Sequence, residues 1–241
     1  GELERRAAAV LIGRAPARDL HAWLAERQLA DGGFAAGPGS GAALSETRRV
    51  LGVLGDLRSL SGPLVERICR FLEAQQRHSG SWAEGEAALF ETGLLAGLLA
   101  KTPCARTSAL DRAADWLAQG FAPERVQGFA WSAIAGYAAA FANLPHDAGD
   151  EILQWCGREL ERGFRAGRFD AVRTARVLTW CDASALPGAR IDAADLVAAI
   201  CSEQADDGGW LPSAAPAERA LHGFDALAAL THLAGSRRGT A

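Results

Sequence analysis

The chain has 241 residues, 25 Lys+Arg against 29 Asp+Glu, and a formal net charge of -4. With 49 % of residues apolar, it can bury a sizeable core, and its near-balanced charge without any Lys/Arg run excludes a nucleic-acid partner. Lys101 is the only lysine, and the bias toward Ala, Gly and Arg reads as a GC-rich bacterial coding sequence.

The first expected element is a helix over Glu2–Ile12. Five charged outer helices come after it at Ala17–Gln28, Pro63–Gln76, Ser108–Gln119, Ala148–Glu161 and Ile191–Gln204. Between them lie five apolar segments: ETRRVLGVLGDL from Glu46, ETGLLAGLLAKT from Glu91, WSAIAGYAAAFANL from Trp131, RTARVLTWCDAS from Arg173 and HGFDALAALTHL from His222. Apolar or small residues recur in these at helical spacing, and a helix apolar all round is buried on both sides. The spacing predicts two layers, six inner and five outer helices, with a repeat of roughly 45 residues. Pro38–Gly41 and Pro212–Pro216 read as loops within repeats, so the expectation is one domain over 1–241. The uncharged stretch Phe129–Leu144 is too short for a comfortable membrane span, so no transmembrane segment is expected. The five cysteines are odd in number and scattered without any C-x-x-C, which fits buried thiols in a reducing cytoplasm.

One pattern recurs three times: a bulky pair, three residues, Gln, three residues, Gly, one residue, then Phe or Trp. Its copies are Trp23-Leu24, Gln28, Gly32, Phe34; Phe71-Leu72, Gln76, Gly80, Trp82; and Ala199-Ile200, Gln204, Gly208, Trp210. These units resemble the "QW" repeats of the squalene cyclase and protein prenyltransferase β-subunit superfamily, and ADGGF and DDGGW resemble its loops. The resemblance is strong in the first, second and fifth repeats and decayed near Trp116–Gln119 and Leu160–Phe169. It implies an all-α fold, an α/α toroid of about five helical hairpins plus an N-terminal helix. It also implies a cavity at the N-terminal ends of the inner helices and a structural role for the Gln and aromatic residues.

Aligning the inner segments brings Glu46, Glu91, Trp131, Arg173 and His222 into one column, and Thr47, Thr92, Ser132, Thr174 and Gly223 into the next. If both columns sit at helix starts, Thr47 and Thr92 are expected to cap. Two carboxylates, an indole, a guanidinium and an imidazole form an acid/base and cation-stabilising set. Glu46, Glu91 and His222 are the expected catalytic groups. Trp131, Arg173, Asp170, Phe90, Phe129, Phe224, Arg176 and Asp225 are the expected substrate contacts.

The resemblance implies two chemistries. Type II terpene cyclases use D-x-D-D, which this chain lacks; Asp206-Asp207 only mimics its end, within a turn. Protein prenyltransferases bind zinc through Asp, Cys and His. Asp170 and His222 match the Asp and His positions, but Val172 stands at the Cys position, so no zinc or other cofactor is expected. The resulting expectation is a terpene-cyclase-like enzyme acting on a hydrophobic, isoprenoid or polyene substrate in the toroid. The alternative is a non-catalytic toroid that binds a lipid or a partner protein, or pairs with a second copy.

Overall fold

The computed structural model describes residues 1–236, so the end of the expected domain, 237–241, lies outside the described residues. The fold is all-α. The helices are α1 (Glu2–Leu11), α2 (Ala17–Ala25), α3 (Leu44–Asp56), α4 (Pro63–Gln75), α5 (Ala88–Ala100), α6 (Thr107–Gln119), α7 (Trp131–Phe141), α8 (Gly149–Arg165), α9 (Ala171–Trp180), α10 (Ala193–Ser202) and α11 (Pro216–Ser236). The described residues add one small antiparallel hairpin, β1 (Phe34–Ala35) with β2 (Ala42–Ala43). No helix among the described residues is long and apolar enough to cross a membrane.

The odd-numbered helices touch in order, α1 to α3, α3 to α5, α5 to α7, α7 to α9 and α9 to α11, and α11 returns to α1. The even-numbered helices lie against them: α2 on α1, α4 on α3, α6 on α5 and α7, α8 on α7 and α9, α10 on α9 and α11. The odd-numbered helices therefore close a ring of contacts that the even-numbered helices flank. The composition of each helix explains its layer. α7 is buried continuously from Ile134 to Phe141, and α5 from Thr92 to Leu99, as apolar helices flanked on both sides must be. Outer helix α8 instead buries Ile152, Leu153, Cys156 and Leu160 along one stripe and carries its charges elsewhere, except for Glu159, which is buried and paired with Arg162.

The Gln-Gly-aromatic units lock the outer layer. The Gln28 amide donates to its own turn at Gly32 O (2.8 Å) and to Leu64 O (3.1 Å) at the start of α4, while its carbonyl accepts from Arg67 Nε (2.7 Å). Gln76 repeats this with Gly80 O (2.9 Å), Ala109 O (2.8 Å) in α6, and Arg112. Gly32 and Gly80 both have positive φ (95° and 98°), and a Cβ there would lie 2.3 Å from Arg67 O and 2.2 Å from Arg112 O, so glycine is required twice over. The Trp82 and Trp210 indoles donate to Leu72 O (2.7 Å) and Ile200 O (2.8 Å), which closes each unit on its own helix. Gln204 donates to Gly208 O (2.7 Å), and the next helix in the chain is inner helix α11, not a further outer helix. In the decayed fourth repeat, Glu161 of α8 accepts from Arg190 N (2.7 Å), and Arg165 donates to Arg190 O (3.1 Å). A carboxylate and a guanidinium there do the tethering that one amide does elsewhere.

The inner helices begin earlier than the expected column. Glu46 is the third residue of α3, Glu91 the fourth of α5, Arg173 the third of α9 and His222 the seventh of α11; Trp131 alone opens its helix. Pro216, expected in a loop, is the first residue of α11, where its fixed φ and missing N–H suit a helix start. Thr47 and Thr92 are therefore not caps. Their hydroxyls accept from the backbone N–H of Phe34 (3.0 Å) and Trp82 (3.1 Å), fastening each aromatic loop to an inner helix.

The closest approach in the ring is between α5 and α7. A Cβ on Gly93 would lie 2.1 Å from Gly136 O, and one on Gly97 would lie 2.1 Å from Ala139 O. Helix propensity alone makes Gly97→Ala stabilising by about 1 kcal/mol. The clash with rigid backbone reverses that sign, and the variant is expected to be about 1–3 kcal/mol less stable in urea denaturation. A more stable variant would contradict this packing.

Candidate active site

The ring encloses a lumen crossed by one guanidinium. Arg176 reaches from α9 to Asp56 at the end of α3, on the opposite side of the ring, with Nη1–Oδ1 at 2.7 Å and Nη2–Oδ2 at 3.1 Å. Their side chains are 7 % and 3 % exposed, so this is a buried, two-point ion pair. Asp225 of α11 places Oδ1 3.0 Å from Arg176 Nε. The Nε–H does not point at it and makes no hydrogen bond, so this contact is electrostatic only. The Arg176 guanidinium also lies over the Trp180 ring, 4.9 Å from its centroid.

Three cavities adjoin Arg176 or its partners Asp56 and Trp180. One of about 270 Å³ runs along α3 and α5 and is lined by Arg48, Phe90, Leu94, Phe224, Asp225 and the Arg176–Asp56 pair, among others. A second, of about 200 Å³, lies at the start of α9 between Val172, Arg173, Glu218 and His222. Trp131, Arg176, Trp180, Leu221 and Asp225 line both. A third, of about 500 Å³, occupies the opposite end, beside Arg58, Lys101, Asp182 and His232; it shares Asp56, Leu98 and Trp180 with the first. Asp56 and Trp180 thus stand between the two ends of the lumen. At the third cavity, Lys101 Nζ (2.8 Å) and Asn143 Nδ2 (3.1 Å) donate to Trp180 O, satisfying a carbonyl that the end of α9 leaves open.

The expected residues divide among these spaces. Phe90, Trp131 and Trp180 form a continuous aromatic wall, with centroids 5.8, 5.9 and 6.1 Å apart. The rings pack on one another, so they present a face and leave no slot between them. The Trp131 indole donates to Arg173 O (3.2 Å), which holds the wall against α9. Phe224 is buried on the first cavity. Phe129 lines none of the described cavities. It has a φ of 65° and turns away to pack on Phe169 (6.3 Å) and under Arg168 (5.4 Å).

Glu46 and Glu91 are held by arginines of α3. Glu46 receives two hydrogen bonds from Arg49, Nε–Oε2 at 3.0 Å and Nη2–Oε1 at 2.5 Å, and Arg49 also binds Glu4 of α1. Glu91 accepts from Arg48 Nε (2.6 Å), and Arg48 lies over Phe90 (5.7 Å). Glu91 thus ties α5 to α3, whereas Glu46 braces Arg49 within α3, and it is Arg49 that reaches α1. Asp170 is the N-cap of α9: Oδ1 accepts from Arg173 N (2.6 Å), and Oδ2 lies 3.5 Å from Arg173 Nε. Asp170 is thus engaged at the start of α9, and Val172, at the position where the resemblance implies a thiolate, offers no metal ligand. Among the described residues no three His, Cys, Asp or Glu side chains are grouped to hold a metal.

Two groups that line the first two cavities are shifted toward their neutral forms. Burial pushes the Asp225 carboxyl up to about 6; Arg176 opposes the rise, and Asp56, Glu4 and Asp170 add to it. Asp225 lines both cavities, and 24 % of its side chain remains exposed. Burial pulls the His222 imidazole below its usual range, with Asp170 opposing and Arg173 assisting. Asp225 therefore keeps its proton to higher pH than an ordinary carboxyl, and the balance at His222 is shifted toward the neutral imidazole.

Sequence reasoning placed Asp225 among the substrate contacts and passed over Asp56 and Trp180. Each carries a signal. Asp56 is an acid in the last turn of an apolar inner helix, where the helix dipole disfavours it. Trp180 lies four residues after Arg176 and shares its face.

No known family model matches the chain, and no curated protein matches it significantly.

The raised carboxyl carries a stability consequence. Asp225 binds its proton more tightly folded than unfolded, so ionising it costs folding free energy. The penalty is absent below about pH 4, grows as pH rises, and is complete above about pH 6. Asp225→Asn removes it. The variant is expected to be more stable than the parent at pH 7.5, by up to about 3 kcal/mol, and to lose that advantage at pH 4. Urea denaturation at the two pH values measures the difference; a pH-independent difference would refute the assignment.

Proposed function

We propose that the protein is a terpene-cyclase-like isomerase in which Asp225, and not Glu46 or Glu91, donates the initiating proton to an apolar alkene. The observation that carries this reading is a carboxyl pushed up to about 6 that lines two cavities beside the Phe90–Trp131–Trp180 wall. Protonating a carbon–carbon double bond needs an acid kept neutral by its surroundings and a site that excludes water. The carbocation so formed carries its charge onto the aromatic wall, whose ring faces attract cations. Arg176, its Nε 3.0 Å away, attracts the Asp225 carboxylate left behind, although Asp56 already pairs with it. The reaction ends when a base removes a proton from a neighbouring carbon, and His222, on the second cavity and biased by burial toward its neutral form, fills that role. The product then has the composition of the substrate, with a double bond moved or a ring closed.

The two cavities beside Asp225 together lie at the lower end of the range for small-molecule sites. That size favours a short isoprenoid. Leu211 and Leu221, 36 % and 43 % exposed, both line the second cavity and give it an apolar border. The resemblance of the repeats to the cyclase superfamily supports the same substrate class.

The test is turnover of acyclic ten- and fifteen-carbon polyenes in deuterium oxide, read by mass spectrometry. The parent protein is expected to yield isomers carrying one deuterium, at a rate that falls as pH rises through about 6. Asp225→Asn is expected to reduce turnover at least 100-fold while still binding the polyene. His222→Ala is expected to slow product formation without abolishing proton uptake. Full turnover by Asp225→Asn would overturn the proposal. Polyene binding with no turnover by the parent would favour a lipid-binding role for the same lumen.

A further inference from the structure

Two thiols outside the lumen come closer than any other pair in the protein. Cys69, midway along outer helix α4, and Cys104, in the loop between α5 and α6, hold their sulfurs 2.7 Å apart. Joining them to an S–S bond of about 2.0 Å takes roughly 0.7 Å of travel. The sequence suggested five separate buried thiols; instead Cys104 is half-buried and Cys201 exposed.

The backbone around Cys104 is fastened to α4 on both sides. Before it, Thr102 Oγ1 donates to Leu99 O (2.7 Å) and accepts from the Cys69 thiol (3.4 Å), and Pro103 fixes φ at the next residue. After it, Arg106 is held by Glu73 of α4, through its backbone N–H to Oε1 (2.6 Å) and its Nε to Oε2 (3.2 Å). Glu73 is one helical turn beyond Cys69. The loop is thus pinned to the helix that carries the second thiol, and the two sulfurs meet without any rearrangement of the chain.

We propose that Cys69 and Cys104 form a thiol–disulfide exchange site that takes a low-molecular-weight disulfide and closes to an internal Cys69–Cys104 bond. Access sets the order of steps. The Cys104 thiolate attacks the external disulfide, forming a mixed disulfide and releasing one thiolate. Cys69 then attacks Cys104 Sγ, its proton passes to a departing thiolate, and the second thiol leaves. Two protein thiols and one external disulfide become one protein disulfide and two external thiols. Cys69 cannot begin the sequence: it is buried, and burial together with the Cys104 contact pushes its thiol up to about 12. The bond closes a loop that contains all of α5 and ties the outer layer to the end of an inner helix.

The test uses the full chain with Cys201→Ser, so that the exposed thiol is silent, treated with oxidised glutathione. Denaturing alkylation and peptide mapping are expected to show a Cys69–Cys104 cross-link and no retained glutathione. The thermal midpoint is expected to rise by roughly 5–15 °C and to return on reduction. Adding Cys69→Ser is expected to leave glutathione on Cys104. Adding Cys104→Ser is expected to leave Cys69 unmodified, which keeps the order of attack testable even if one variant folds poorly. Stable glutathione on Cys104 with Cys69 still alkylatable, or no reaction at either thiol, would overturn the site. Glutathione on Cys69 in the Cys104→Ser background would overturn the order of attack.

Discussion

A guanidinium buried at the centre of the ring has to be neutralised there, and much of the lumen depends on how that is done. Arg176 is 7 % exposed and takes a two-point contact from Asp56 across the ring. Removing one member of such a pair leaves an uncompensated buried charge, at a cost of about 3–5 kcal/mol. The pair therefore fixes α9 against α3 although three steps of the ring lie between them. It also separates the two ends of the lumen. Because Asp56 already supplies the neutralising charge, Asp225 is a second carboxylate near one guanidinium, and burial dominates its proton affinity. One ion pair thus sets both the partition of the cavity and the acid beside it.

The frame around that pair is built with different chemistry. Amide hydrogen bonds from Gln28 and Gln76 tie each outer helix to the next, and indole N–H groups from Trp82 and Trp210 close the turns. None of these groups reaches the lumen. The inner layer is held by close backbone contact at Gly93 and Gly97, and by Arg48 and Arg49 of α3 bridging to Glu91 of α5 and Glu4 of α1. Motif residues and site residues are therefore separate populations. A chain can lose the motif, as the third and fourth repeats have, and keep the ring, provided some group such as Glu161 still reaches the next outer segment.

Much of the frame was legible in the sequence. The alternation of charged and apolar helices, the six inner and five outer segments, and the tethering role of Gln28 and Gln76 come from periodicity and from the repeat. The helix starts were not legible in the same way: Pro216 and Leu44 open their helices before the aligned column, because repeat alignment marks equivalent positions and not hydrogen-bond onset. The site was legible in part. Trp131, Arg173, Arg176, His222, Phe90, Phe224 and Asp225 line the two joined cavities. Phe129 does not, since its positive φ turns the ring outward. Roles were harder than positions. Glu46 and Glu91 looked like acids because their arginine partners, Arg49 and Arg48, lie on a face of α3 that only packing defines.

The sequence by itself determined the fold class, the layering and the register, because these depend on patterns local to each repeat. Which carboxyl holds a proton, which cation is shared, and which two cysteines touch depended on contacts between residues 35 to 120 positions apart. Proton affinity is set by burial and by charges a few ångströms away, and neither quantity exists until the ring closes.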